Sequence, residues 1–182
     1  MTGPDIIALG DVIPDVARAA FIAPGARIIG NVALGVDSSI WYNCILRADV
    51  NHIRVGARTN IQDGTILHCD SPYDGDAGYP TLIGDDCLIG HQALLHGCIL
   101  HDRAFVGMGA IALNGGVIES DGMLGAGAML TAGKTIRSGE LWVGRPAKYL
   151  RDLTREEIAQ NFAGVARYVE NAQRHAAAIK AG

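Results

Sequence analysis

Aliphatic residues recur every six positions along most of the chain, and that period leaves few folds open. Rungs stand at Ile22, Ile28, Leu34, Ile40 and Leu46, then at Val55, Ile61 and Leu67, then at Ile83, Ile89 and Leu95. After one five-residue unit the ladder resumes at Leu100 and climbs through Val106, Ala112, Ile118, Leu124, Leu130 and Ile136 to Trp142. A helix would place its apolar residues three and four apart, so this period is not helical. It suits a repeated short strand and turn, with each rung buried on the rungs above and below at roughly 4.8 Å spacing. Gly follows many rungs directly, as in Val55-Gly56, Ile83-Gly84 and Leu124-Gly125, and is read as permitting the turn. No helical stretch separates the rungs before about residue 153, which argues against a βαβ arrangement. The expected organisation is an all-β solenoid over residues 1–150 and a C-terminal α-helix within residues 151–182.

The ladder resembles that of the hexapeptide-repeat proteins. That resemblance implies a left-handed parallel β-helix, a triangular prism with three hexads to a coil. Composition agrees: 24 Gly, 49% hydrophobic residues and only 5% aromatics suit a narrow core of Ile, Val, Leu and Ala. A net charge of −4 gives no reason to expect nucleic acid or an anionic membrane as partner. No apolar run approaches the ~20 residues needed to span a bilayer. The opening Met1-Thr2-Gly3-Pro4-Asp5 lacks the basic and apolar regions of a signal peptide, so a cytoplasmic protein is expected. The cysteines Cys44, Cys69, Cys87 and Cys98 form no CxxC pair. Cys44 and Cys87 take the small-residue place of their hexads and read as buried; Cys69, beside His68, is weighed as a minor candidate near a metal.

Two interruptions break the ladder. Three extra residues fall within Asp49–Arg54, and ten more, essentially Asp70–Pro80, read as a polar surface loop that leaves beside His68 and could overhang it. Beyond Gly144-Arg145-Pro146, Thr154-Arg155-Glu156-Glu157 is a capping box. Ile158, Phe162, Val165, Ala166 and Val169 then give one apolar helical face, predicting a helix of about 25 residues that packs on the prism or on a neighbouring subunit.

With three hexads to a coil, residues one coil apart form columns. Arg47, His68 and His96 each follow a rung of one face, called here the third, and so stack over three successive coils. His91 lies two places after Ile89 on the second face, above Asp63, which lies two places after Ile61. Side chains on different faces of a prism diverge, so His91 reaches a site shared with His68 and His96 only from another subunit. A cyclic trimer closes such a head-to-tail contact. Three imidazoles would leave a tetrahedral zinc one open position, the arrangement of a catalytic site. His52, His101 and His175 have no stacked partner and read as surface residues.

Arg47-Ala48-Asp49, Asn60-Ile61-Gln62-Asp63, His68, Ile89-Gly90-His91 and His96-Gly97 together resemble the γ-class carbonic anhydrases and their bacterial homologues. The resemblance implies a homotrimer in which two such histidines of one subunit and one of its neighbour bind Zn²⁺, or Fe²⁺ or Co²⁺. It implies hydration of CO₂ to bicarbonate, with Gln62 orienting the nucleophile, Asn60 holding Gln62, and Arg47, with Asp49 or Asp63, handling the product and pairing across the interface. The chain departs from the family pattern along the route for protons. Val50 stands where the archaeal members carry a glutamate, the loop with Asp70, Asp74 and Asp76 is short, and Ala163 aligns with a tyrosine of the last helix in many bacterial members. The alternatives are a hexapeptide acyltransferase or thioesterase, which needs no metal, and a metal-binding assembly subunit without catalysis.

Overall fold

The computed structural model describes residues 3–181 and shows a parallel β-solenoid of hexapeptide repeats closed by one C-terminal helix. Short strands stack in register, coil upon coil. Leu46 pairs with Leu67, Leu67 with Leu95 and Leu95 with Ala112 on the third face. Ile40, Ile61, Ile89 and Val106 do the same on the second face, and Val55, Ile83, Leu100 and Ile118 on the first. The rungs Ile28, Ile40, Leu46, Ile61, Leu67, Ile89, Leu95, Val106 and Leu124 have no exposed surface. Each such Leu or Ile contributes about 1.5–3 kcal/mol by leaving water. Trp142, too large for the interior, packs against the core from the last coil.

The second face is an eight-stranded sheet, and the first and third merge into one of eleven strands. They merge because Arg27–Leu34 and Ile45–Val55 run unbroken round the corner between them. The three extra residues therefore sit inside a continuous strand as an irregularity, where the register shifts between Gly30 and Val32 of its neighbour. The longer insertion folds back onto this bulge: Asn51 Nδ2 donates to the carbonyl oxygens of Asp70 and Ala77, at 3.0 and 3.1 Å.

The glycines after the rungs have a different reason from the expected one. Gly56 and Gly84 are absent from the left-handed positions, which fall two places later on Arg58 and Asp86, both at φ 57°. What Gly56 supplies is room, since a Cβ there would lie 2.3 Å from the backbone carbonyl carbon of Gly84. The coils approach too closely at Gly56 for a side chain.

The helix spans Arg155–Ala181. Its capping box forms in both directions, Glu157 N–H to Thr154 Oγ1 at 3.2 Å and Thr154 N–H to Glu157 Oε2 at 2.8 Å. It docks on the second face of its own prism. The expected apolar face is corrected in part. Val165 is buried, but Ala166 is exposed and Phe162 is 50% exposed. The contact instead runs through Val165, Ala172 and an aromatic cluster of Phe21, Trp41, Tyr42, Tyr168 and His175. Gly164 allows the close approach, because a Cβ there would meet Leu88 at 3.2 Å. No helix among the described residues is long and apolar enough to cross a membrane.

Because the rungs form one continuous core, Leu67→Ala should cost about 2–5 kcal/mol of unfolding free energy in urea melts at fixed protein concentration. A cost below about 1 kcal/mol would contradict that continuity.

Candidate metal centre

Strand pairing brings Arg47, His68 and His96 into direct register on the third face. His68 Nδ1 lies 3.0 Å from His96 Nε2, with ring centroids 5.0 Å apart. On its other side His68 Nε2 lies 2.9 Å from Asp49 Oδ1. A carboxylate only accepts, so Nε2 carries the proton and Nδ1 turns its lone pair towards His96. Arg47 donates to the second oxygen of Asp49. Burial pushes the Asp49 carboxyl up, but the hydrogen bonds from His68 and Arg47 outweigh it and hold the group below its ordinary value.

The second group lies on the second face and its corner with the third. His91 Nδ1 lies 2.8 Å from Asp63 Oδ2. Gln62 is buried, and its Nε2 donates to Asn60 Oδ1 at 3.1 Å. Asn60 Nδ2 in turn reaches the carbonyl oxygen of Cys87 at 3.4 Å. The two groups do not meet within one chain. Among the described residues no three His, Cys, Asp or Glu side chains gather around one point.

His91 opens into a cleft beside the helix, lined also by Asp63, Tyr168, Asn171, Arg174 and His175. Ala163, where a missing tyrosine was expected, is exposed; the helix tyrosine that reaches this cleft is Tyr168. Burial, then the nearby Asp63, push its phenol up. His175 is likewise no surface residue. Its Nδ1 lies 2.9 Å from Tyr42 OH, and its ring packs on Trp41 at 5.0 Å. The spacing of Tyr168, Asn171 and His175 by three and four was the available signal that they share one helix face. His52 is half-buried in the bulge, where burial and then Arg54 push its pKa down. His101 is exposed as expected. Cys69 is no candidate ligand, because it is fully buried with its thiol directed at the carbonyl oxygen of Arg47.

His68 Nδ1 and His96 Nε2 face each other across 3.0 Å; where both nitrogens are unprotonated, a cation between them takes the place of the hydrogen bond. Soft-to-borderline divalent ions such as zinc suit imidazole donors. The third-face pair therefore fits a metal, with coordination incomplete in a single chain.

Comparison with known proteins finds no matching family model. Gamma carbonic anhydrase 2, mitochondrial, of Arabidopsis thaliana is 47% identical over 166 residues, covering 91% of this chain and 60% of that protein. The chain thus spans about three fifths of the plant relatives it matches, 60% and 61% of the two. Carbonic anhydrase of Geobacillus kaustophilus is 44% identical over 160 residues, 88% of this chain and 85% of that one. The crystal structure of a hexapeptide transferase family protein from Anaplasma phagocytophilum superposes with TM-score 0.85 at 45% identity, covering 93% of this chain and 96% of that one.

The cysteines give a check on this geometry. Burial pushes the thiols of Cys44, Cys87 and Cys98 up to about 12 and that of Cys69 up as well. All four free thiols should stay inert to Ellman's reagent in the folded protein and all four should react in denaturant. Unfolded thiols ionise near 9.0 and the three folded ones near 12, so their share of stability is intact below pH 9 and declines as pH rises towards 12. Rapid labelling of Cys69 in the native state would contradict its inward placement.

Proposed function

The chain belongs to the γ-class carbonic anhydrase family, and from that premise we propose that it catalyses the reversible hydration of CO₂ to bicarbonate at a metal site shared between subunits of a homotrimer. The observation that carries this reading is the His68–His96 pair, whose Nδ1 and Nε2 face each other at 3.0 Å, close enough for one ion to be held by both rings. His68, His96 and His91 of a neighbouring copy would hold the ion, with Zn²⁺ first and Fe²⁺ or Co²⁺ as substitutes. When bound, the ion supplies the Lewis acidity that generates hydroxide near neutral pH.

The remaining residues bind and orient. With Nε2 committed to Asn60, Gln62 keeps Oε1 to accept a hydrogen bond from the attacking oxygen, and it does so without changing charge. The Arg47 guanidinium, aligned by Asp49, holds the bicarbonate anion through its remaining N–H groups. Tyr168 and Asp63 line the wall of the cleft beside His91.

What each face leaves uncovered supports the trimer reading. The helix occupies the second face, so His91 is available to a neighbour only along the corner, where its side chain remains 42% exposed. On the third face the outward positions Ile45, Ile66, Leu94, Ile111 and Met129 form an apolar column beside the histidines. Ile66 is 41% exposed, and a subunit contact covers such a stripe. Names such as hexapeptide transferase among the structural relatives keep acyl transfer as a second reading, which requires activity on an acyl-coenzyme A without metal. The first two relatives are named as mitochondrial, so they lend the expected cytoplasmic placement no support.

Purified protein should carry about one metal ion per chain. His91→Ala should lose most of it, with affinity weakened by at least about 100-fold, while sedimentation still shows the trimer. Metal retained in that variant would sink the shared site. Stopped-flow hydration of CO₂ should rise with zinc occupancy; full occupancy without any hydration would assign the protein to assembly instead. Acyl transfer by metal-free protein would favour the second reading.

A further inference from the structure

The geometry points to Asn114 as the residue that positions the proton of His96, with Asp70, at the root of the 70–80 loop, holding Asn114 in the required orientation. This inference rests on the reading of His68 and His96 as metal ligands.

Asn114 stands between two groups. Its Oδ1 lies 2.5 Å from His96 Nδ1, and its Nδ2 lies 2.9 Å from Asp70 Oδ2. An amide can present either end to a neighbour, so an asparagine alone would leave the imidazole free to choose its tautomer. The carboxylate of Asp70 removes that freedom, because it accepts and has no proton to give. Nδ2 must face Asp70, and Oδ1 must then face His96. A carbonyl oxygen also only accepts, so His96 carries its proton on Nδ1 and its lone pair on Nε2. That is the nitrogen 3.0 Å from His68 Nδ1.

Asp49 imposes the same condition on His68 from the opposite end of the array. Both lone pairs thus converge on one point before any ion arrives. The two devices differ in charge: Asp49 touches its imidazole directly, whereas Asp70 acts through a neutral amide. His96 is oriented without a second carboxylate beside it, which limits the negative charge gathered at the site.

The surroundings hold this relay rigid. Asp70 N–H donates to the carbonyl oxygen of Tyr79 at 2.8 Å, and the Asp70 carbonyl accepts from Asn51 at 3.0 Å. Gly97, directly after His96, has φ 59°, and a Cβ there would fall 2.8 Å from Asn114 Oδ1 and 2.7 Å from Tyr79 Cβ. Asn114 and the loop residue Tyr79 therefore occupy the space a side chain at 97 would need. On this reading the loop is a brace for the histidine pair.

The test reads the tautomer and the affinity separately. In metal-free protein labelled with ¹⁵N-histidine, long-range ¹H–¹⁵N spectra, with His96 assigned by comparison with His96→Gln, should show the proton on Nδ1. Asn114→Ala should move His96 to a mixture or to the Nε2–H form and weaken zinc binding, measured against a chelating dye, by about 10–100-fold. Asp70→Asn, which preserves shape and lets the Asn114 amide turn, should give a mixed tautomer. The double exchange Asp70→Asn with Asn114→Asp reverses donor and acceptor between the two residues and should restore both the Nδ1–H form and the affinity. An unchanged tautomer in Asn114→Ala and Asp70→Asn, or no recovery in the double exchange, overturns the proposal. Absence of zinc binding by the unaltered protein would instead overturn the metal reading, and the tautomer measurement would still report on Asn114.

Discussion

In-register stacking of parallel coils is the constraint from which the remaining structure follows. A rung finds its partners through the backbone ladder, so no side chain chooses its neighbour independently of its coil. The same rule governs polar groups. Arg58 meets Asp86 through two hydrogen bonds of 2.6 and 2.7 Å, and Arg103 meets Asp121 at 2.7 and 2.8 Å. These residues occupy the left-handed positions of one corner in successive coils, where alternating charge replaces the like-charge stack that a repeat would otherwise produce. Asn60 and Gln62 gain their mutual contact from the period of two along the chain, which turns both side chains away from the prism interior to the same side, where both are buried.

This constraint also explains which parts of the molecule could be read from residue order. Equal offsets from successive rungs must align, so the meeting of His68 with His96 and the placement of His91 over Asp63 followed from counting. The capping box was legible for the same kind of reason, since its bonds join residues three apart. Asn114 was not legible. It stands two places after its rung, His96 stands one place after its own, and their contact depends on side-chain reach between unequal offsets. The helix face was misjudged because docking depended on fit to Phe21 and Trp41 outside the prism, where no repeat applies. His175 joined that cluster as an aromatic surface, a role that a search for ligands does not detect. The rung glycines were assigned to turns because sequence reveals glycine without revealing whether φ or space requires it; at Gly56 it is space.

The three imidazoles share one feature that their positions alone do not explain. Each has an oxygen close to one ring nitrogen: Asp49 at His68 and Asn114 at His96 through hydrogen bonds, and Asp63 at His91 in an ion-pair contact of 2.8 Å. A neutral imidazole held in this way presents its other nitrogen as a donor of electron pairs in a known direction. With the proposed tautomer of His96, those directions oppose each other at 3.0 Å in the His68–His96 pair, an arrangement that a cation would relieve. A histidine pair kept only for folding would more simply share a proton in one hydrogen bond. Asp49 leaves that solution open, because it makes His68 Nδ1 an acceptor; what opposes a donating Nε2 on His96 is the Asn114 carbonyl oxygen, held towards His96 Nδ1 by Asp70.

A prism of this kind resists closing a site by bending. Its core is continuous from Ile28 to Ile136, and the coils touch through backbone at Gly56 and Gly84, so the corner that carries His91 cannot swing towards the third face without breaking ladder hydrogen bonds. The docked helix adds to this rigidity by covering the second face through Val165, Ala172 and the aromatic cluster. On the proposed reading, completing a three-imidazole site would fall to rigid-body docking of a second copy, with the geometry within each half already set. Such a division separates two tasks: stacking determines the orientation of each donor, and assembly determines how many donors meet. If the proposed trimer forms, its loss would leave His68, His96 and their hydrogen-bond partners in place while removing the contribution of His91.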